Sequence, residues 1–286
     1  MILITGATGQ LGRAILHTLV QKTAPSHLAA LVREAGKAAD LQAQGIDIRV
    51  GDYSDPASLD RAMQGVTKVL LISGGGSPDA LQQHYNVVDA AQKAGVQCLA
   101  YTSRALKDPA ALANTLMVRH FQTEDYIKAS GLPYLLFRNI LYMDVLPYYV
   151  GKDVRTTGLN LPGGQGRVPY ALRSDLGEAI ANALLTSPCA NTTFVLTGRE
   201  AYSFDDVAAG LTTVYGQPVP YTAVEPAALA AQMQAQGYPP FMFQHLLGFL
   251  TDIKNGQEAD ATSDLERLLG RPPITLQEGL FNLFSC

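Results

Sequence analysis

The sequence predicts an α/β protein: a doubly wound parallel sheet with a smaller, mostly C-terminal α/β domain. Three observations carry that prediction. The chain opens on an apolar strand that runs into Gly6, Gly9 and Gly12 and then into an apolar helix. Short, continuously apolar runs then alternate with helical patterns through residue 137, as expected of strands covered on both faces. Beyond Arg138 the rhythm breaks, and residues 147–170 hold three prolines and five glycines.

Ile2-Leu3-Ile4 starts the first strand, and the helix over 10–21 presents Leu11, Ile15, Leu16 and Leu19 as one apolar stripe. Leu28-Ala29-Ala30-Leu31-Val32 is the second strand, followed by a helix over 37–44 that Gly45 ends. The third strand spans 46–50, a short helix 56–63 ends at Gly65, and Val69-Leu70-Leu71-Ile72 is the fourth. A helix over 78–94 stops at Gly95, and Cys98-Leu99-Ala100-Tyr101 makes the fifth strand. A long helical pattern over 110–129 leads through Gly131 to the sixth, Tyr134-Leu135-Leu136-Phe137. This is the order of a Rossmann sheet. Residues 1–145 are therefore expected to form the dinucleotide-binding domain, and 146–286 mainly a substrate domain with some segments returning to the first core.

In that second part, Gly163-Gly164-Gln165-Gly166 reads as loop over or beside a pocket. A helix is expected over 175–185 and a strand over 193–196. Ser203 with Asp206 resembles a capping box opening a helix to Tyr215. The apolar run from Tyr238 to Leu250 reads either as a lid over an apolar pocket or as ordinary packing. The leucines and prolines after Leu265 read as structural.

Three glycines in a strand-to-helix turn have separable purposes. One turns the chain, one lets backbone approach a pyrophosphate, and one lets helix and sheet pack closely. The helix then offers unpaired N–H groups to the phosphates. The second strand ends at Val32 and is followed by Arg33, which can make a bidentate pair with a 2′-phosphate. Glu34, one residue on, is the competing choice and would select the cofactor without that phosphate. The reading favours NADP(H). Asp52-Tyr53 and Ser73-Gly74-Gly75-Gly76 follow the third and fourth strands, on the rim where open α/β sheets hold ligands.

Candidate reactive groups lie on the same rim. Tyr101-Thr102-Ser103 closes the fifth strand and supplies hydroxyls. His120 falls in the long helix with Glu124 one turn later, and an imidazole titrating near neutrality can donate to a developing oxyanion. Arg138-Asn139 closes the sixth strand, with the phenol of Tyr142 beyond it. Tyr148 and Lys152 form a further spaced pair, but Pro147 and Gly151 disfavour a helix that presents both.

Composition excludes several classes. The chain of 286 residues is 47% hydrophobic and 16% charged with net charge −4, which fits a globular fold on the apolar side. Lys and Arg are scattered singly, leaving no nucleic-acid footprint. The histidines have no metal-ligand spacing, and neither a Walker A lysine nor a GxSxG elbow is present. No apolar run approaches a membrane span, and no leader pattern precedes the first strand. Cys98, Cys189 and Cys286 are an odd set, read as a reducing compartment rather than a disulfide scaffold. The expected address is cytoplasmic. A homodimer and a monomer are both compatible with the apolar segments.

Taken in order, Gly6-Ala7-Thr8-Gly9-Gln10-Leu11-Gly12, Leu31-Val32-Arg33, Gly51-Asp52-Tyr53, Tyr101-Thr102-Ser103, His120 with Glu124, and Arg138-Asn139 with Tyr142 resemble the NmrA-like branch of the atypical short-chain dehydrogenases. Within it they resemble the bacterial NADPH-dependent quinone oxidoreductases of type 2 and the triphenylmethane dye reductases. The resemblance runs the length of the chain, including Asp264 to Pro272. It implies NADPH held by Thr8, Gly9, Gln10, Leu11 and Arg33, with Ser73, Gly74, Thr102 and Asn139 near the ribose and nicotinamide. It also implies hydride transfer to a quinone or dye, needing little acid–base machinery. Related isoflavone reductase-like enzymes place a catalytic lysine where His120 stands, so lysine-assisted carbonyl reduction is not expected. The family also holds dinucleotide sensors that act through protein partners, the alternative from another class.

Overall fold

The computed structural model describes residues 1–74 and 77–285; Gly75 and Gly76 of the expected ribose turn, and Cys286, lie outside the described residues. In chain order the strands are β1 (Ile2–Ile4), β2 (Leu28–Val32), β3 (Asp47–Val50), β4 (Lys68–Leu71), β5 (Cys98–Arg104), β6 (Tyr134–Asn139), β7 (Leu159–Leu161), β8 (Thr192–Leu196) and β9 (Tyr221–Ala223). The α-helices are α1 (Gln10–Lys22), α2 (Ala39–Ala43), α3 (Pro56–Ala62), α4 (Ala80–Lys93), α5 (Val118–Ala129), α6 (Leu146–Val150), α7 (Val154–Thr157), α8 (Arg173–Thr186), α9 (Phe204–Tyr215), α10 (Pro226–Ala235), α11 (Pro240–Lys254), α12 (Asp264–Leu269) and α13 (Leu276–Phe284).

One sheet runs in the order β3-β2-β1-β4-β5-β6-β8, and its pairs from β3 to β6 are parallel. Every residue of β2 and of β5 is buried, which is why β2 and the first four residues of β5 read as unbroken apolar runs in the sequence. The order reverses between β1 and β4, where such sheets open a crevice beyond the strand carboxyl ends. Leu3, Leu31, Leu71, Leu99 and Tyr101 share one core with Val87 and Val88 of α4. The apolar stripe of α1 is buried as expected.

The chain divides into two compact units. The first comprises residues 1–104, 119–139 and 173–195. Within it, a Cβ on Gly177 of α8 would stand 2.6 Å from the Cβ of Ala14, so this glycine lets α8 lie directly on α1. The second unit comprises residues 105–118, 140–172 and 196–286 and carries the small β7-β9 sheet. Its helices α9 and α13 each begin with a complete capping box, Ser203 with Asp206 and Thr275 with Glu278.

Three sequence expectations are corrected. The long helix starts at Val118, because residues 109–117 form two short 3₁₀ turns instead. There the Asp252 carboxylate accepts the backbone N–H groups of Ala113 (2.7 Å) and Asn114 (3.1 Å), which a helix would have used. Residues 147–170 are not loop throughout: they hold α7, β7 and most of α6, whereas residues 163–166 do lie outside helix and strand, with Gly163 and Gly166 pressed against the Phe204 ring and the Ile253 carbonyl. Cys98 and Cys189, read as free thiols, are disulfide-bonded. A separation of 91 residues conceals that the start of β5 and the turn before β8 meet.

The Tyr238-to-Leu250 run is largely α11. It buries Leu250 and Ile253 and leaves Phe241 70% exposed, so packing accounts for only its inner face. Among the described residues, no helix is long and apolar enough to cross a membrane, and no group of three or more His, Cys, Asp or Glu gathers to hold a metal.

Candidate functional site

The first unit gathers nearly all the predicted cofactor residues at one rim of its sheet. Gly6 has φ of +57°, which an L side chain rarely adopts, and it turns the chain out of β1. A Cβ on Gly12 would meet the Gly6 carbonyl and come within 2.9 Å of Ala7 Cα. Gly9 is the N-cap of α1 and brings no side chain to its first N–H groups; no acidic residue sits in that turn. The result is a helix amino end open to an anion. Arg13, which the sequence reading passed over, braces this turn by donating from Nε to the Thr8 carbonyl (3.3 Å) and pairing with Asp40.

Arg33 and Glu34 are separated by their partners. Glu34 accepts from Lys37 at 2.7 Å, and that bond and charge hold its carboxyl below the usual range. Arg33 is exposed and makes no hydrogen bond or ion pair among the described residues. A phosphate placed at the end of β2 therefore finds a free guanidinium and a carboxylate already engaged. These residues fit a dinucleotide carrying a 2′-phosphate.

Asp52 caps its own turn by accepting from Ser54 N at 2.8 Å. Tyr53 points inward: its hydroxyl donates to the Ile72 carbonyl (3.0 Å) and is hydrogen-bonded to the Thr5 hydroxyl, and burial pushes the phenol above its ordinary range. It supports the floor beneath the crevice. Thr102 Oγ1 accepts from Ser73 N at 2.8 Å and so ties the end of β4 to β5. The loop is fastened a second time by His84, a residue singled out by no motif. Its Nε2 accepts from Gly74 N at 3.1 Å, which places its proton on Nδ1, 2.9 Å from Thr123 Oγ1. The only signal available in the sequence was a histidine on the otherwise apolar face of α4.

His120 is buried, and its Nδ1 lies 3.0 Å from the Tyr101 hydroxyl. Burial, with Arg104, His84 and Arg119 adding to it, pushes the imidazole down to about 3. This favours the neutral imidazole at physiological pH rather than a titration near neutrality: desolvation is the largest cause, and the neighbouring positive charges act in the same direction. Nor does it pair with Glu124. That carboxylate accepts from Ser103 Oγ (2.6 Å), from Arg138 Nε (2.9 Å) and Nη2 (2.6 Å), and stands 3.5 Å from Lys128. Ser103 is thereby turned toward the helix rather than offered to a substrate. Burial pushes the Tyr101 phenol well above its usual range.

Asn139 ends β6, fully buried and in register with Arg104. Tyr142 belongs to the second unit, where it caps a short turn and bridges to Ala171. Tyr148 is 80% exposed, and α6 ends at Val150 before Gly151, so Tyr148 and Lys152 never share a helix face.

Residues 1–269 match the NmrA-like family. Quinone oxidoreductase 2 of Escherichia coli (strain K12) is 34% identical over 285 residues, 100% of this chain and 99% of its own length. The crystal structure of an Escherichia coli NADPH-dependent quinone oxidoreductase complexed with NADPH is similar with a TM-score of 0.94 at 34% identity, covering 99% of this chain and 100% of that one. The Citrobacter sp. triphenylmethane reductase complexed with NADP(H) gives 0.92 at 31% identity, again over 99% of this chain and 100% of that one.

Proposed function

We propose that this chain, which belongs to the NmrA-like family, is an NADPH-dependent oxidoreductase that passes hydride to a quinone or similarly flat electrophilic acceptor. The observation that carries the reading is the open amino end of α1 over Gly6, Gly9 and Gly12, set beside a free Arg33. The relatives that reduce quinones and triphenylmethane dyes supply the acceptor class.

In this reading the backbone from Thr8 through Leu11 receives the pyrophosphate, Arg33 the 2′-phosphate and Asp52 the adenine edge. Ser73, Gly74, Thr102 and Asn139 border the ribose and nicotinamide. Tyr53, Tyr101 and Ser103 act from beneath, since their hydroxyls are spent on Ile72, His120 and Glu124. When bound, NADPH supplies the hydride, and the reduced acceptor gains its remaining hydrogen as a proton. Neutral His120 is a poor source of that proton and acts by hydrogen bonding; the proton comes from water. A quinone is electrophilic already, so holding its ring in place supplies much of the rate.

The test is oxidation of NADPH, and separately of NADH, by the purified protein across benzoquinones, naphthoquinones and cationic triphenylmethane dyes. Saturable, acceptor-dependent turnover with NADPH preferred is expected. Tight NADPH binding with no turnover on any acceptor would overturn the reading in favour of a dinucleotide sensor.

A further inference from the structure

Arg119 stands one residue before His120 on α5, half-buried, and its chemistry is unfinished. Nη1 donates to the carbonyl of Ser77, three residues before α4, at 3.1 Å. Nε is sealed from solvent and has no hydrogen-bond partner, and the side chain makes no ion pair among the described residues. The guanidinium has five N–H donors in a planar fork, and a buried N–H left without an acceptor is costly.

Among the described residues no carboxylate forms an ion pair with it. Its positive charge reaches His84, His120 and Tyr101, all three kept neutral by burial. Arg104 adds a second positive charge beside His120. Glu124, five residues along the same helix, is occupied by Arg138, Ser103 and Lys128. This end of α5 therefore gathers positive charge, and among the described residues its donor fork is paired with no acid.

We propose that Arg119 is an anion seat for the acceptor: the quinones this site prefers carry a carboxylate or sulfonate, which the guanidinium grips while the ring lies at the nicotinamide end. The inference rests on the reductase reading and narrows its substrate class. Anions have two sources here, the acceptor's substituent and the cofactor's own pyrophosphate. The open end of α1 already serves the second, so the seat is assigned to the acceptor.

Two measurements on the full chain decide it. Calorimetric titration of the NADP⁺-loaded protein with naphthoquinone sulfonate needs no turnover and so stands whether or not the chain is a reductase. The wild type is expected to bind the sulfonate more tightly than plain naphthoquinone, and Arg119→Gln to lose roughly ten- to a hundredfold of that affinity. Arg119→Lys, which keeps the charge without the fork, should recover part of it and guards against a folding defect. In turnover, the ratio of kcat/KM for the sulfonate to that for plain naphthoquinone should fall by a similar factor in Arg119→Gln. A parallel loss of NADP⁺ affinity would reassign the seat to the cofactor. No wild-type preference for the sulfonate, or a ratio unmoved by either variant, would overturn the proposal outright. Absence of turnover on both quinones, with sulfonate binding intact, would instead count against the reductase reading alone.

Discussion

Glu124 on α5 and Arg138 on β6 form a two-point ion pair whose acid is sealed from solvent while its base keeps 29% of its exposure. The same carboxylate accepts the Ser103 hydroxyl at the end of β5. One buried charge thus fixes where the carboxyl ends of two neighbouring strands meet the helix that carries His120, and the rim's geometry depends on it.

Removing that charge has a direct cost. In Glu124→Gln the shape survives, but Arg138 and Ser103 lose their charged acceptor. Breaking a fully buried pair costs about 3–5 kcal/mol. Solvent reaches Arg138, so a loss of about 2–3 kcal/mol is expected in urea unfolding. A change under about 1 kcal/mol would mean that the pair behaves as a surface pair.

Arg33 should decide the choice of cofactor. With Glu34 held by Lys37 at 2.7 Å, no carboxylate replaces the lost guanidinium in Arg33→Ala. Charge-assisted bonds to phosphate contribute about 1.5–3 kcal/mol, so the Kd for NADPH should rise roughly ten- to a hundredfold. The Kd for NADH should move less than about twofold, since it offers no phosphate to that position. Equal loss for both cofactors, read by nicotinamide fluorescence, would remove the assignment.

What the sequence revealed follows from the range of the forces involved. The β1 turn was legible because Gly6 and Gly12 answer local demands, a positive φ and a close backbone approach. Most of the first six strands were legible because buried parallel strands are largely apolar; β3, which buries none of its residues, was legible only from its place between two helical patterns. Residues 110–117 were misread because their alanines favour helix locally, whereas Asp252, more than 130 residues away, draws their N–H groups out of it. The directions of Tyr53, Ser103 and His84 were hidden for the same reason: each is set by a partner on another element. The position of His120 in a helix was legible but the depth of its burial was not, since burial is not written in spacing.

That burial gives a pH dependence. His84 sits at about 4 and His120 at about 3 in the fold, against 6.5 for the free group. Below about pH 6.5 the unfolded chain takes up protons that the native state refuses, so stability is complete above that pH and is lost as pH falls toward the folded values. Each histidine contributes a slope of up to about 1.4 kcal/mol per pH unit between about pH 6 and 4.5. Urea midpoints for His120→Gln should show a slope smaller by that amount. The pH profile of kcat should carry no break near neutrality that this substitution removes; such a break would mean that His120 titrates in the working enzyme.

The Cys98–Cys189 bond lies at the start of β5, at the other end of the strand from Ser103 and Arg104. It is therefore a staple of the first unit and not a part of its chemistry. Closing a loop of this size restricts the unfolded chain, and native bonds of this kind contribute about 2–4 kcal/mol. Cys189→Ser should unfold at lower urea by that amount, with the NADPH Kd unchanged, because the cofactor rim is reached only through the full length of β5. Peptide mapping without reductant should recover the linked pair, and dithiothreitol should bring the wild type to the stability of the variant. Thiol titration of the untreated folded protein that finds all three cysteines free would return Cys98 and Cys189 to the role of buried small hydrophobes, and the stability difference would then shrink to that of one buried thiol.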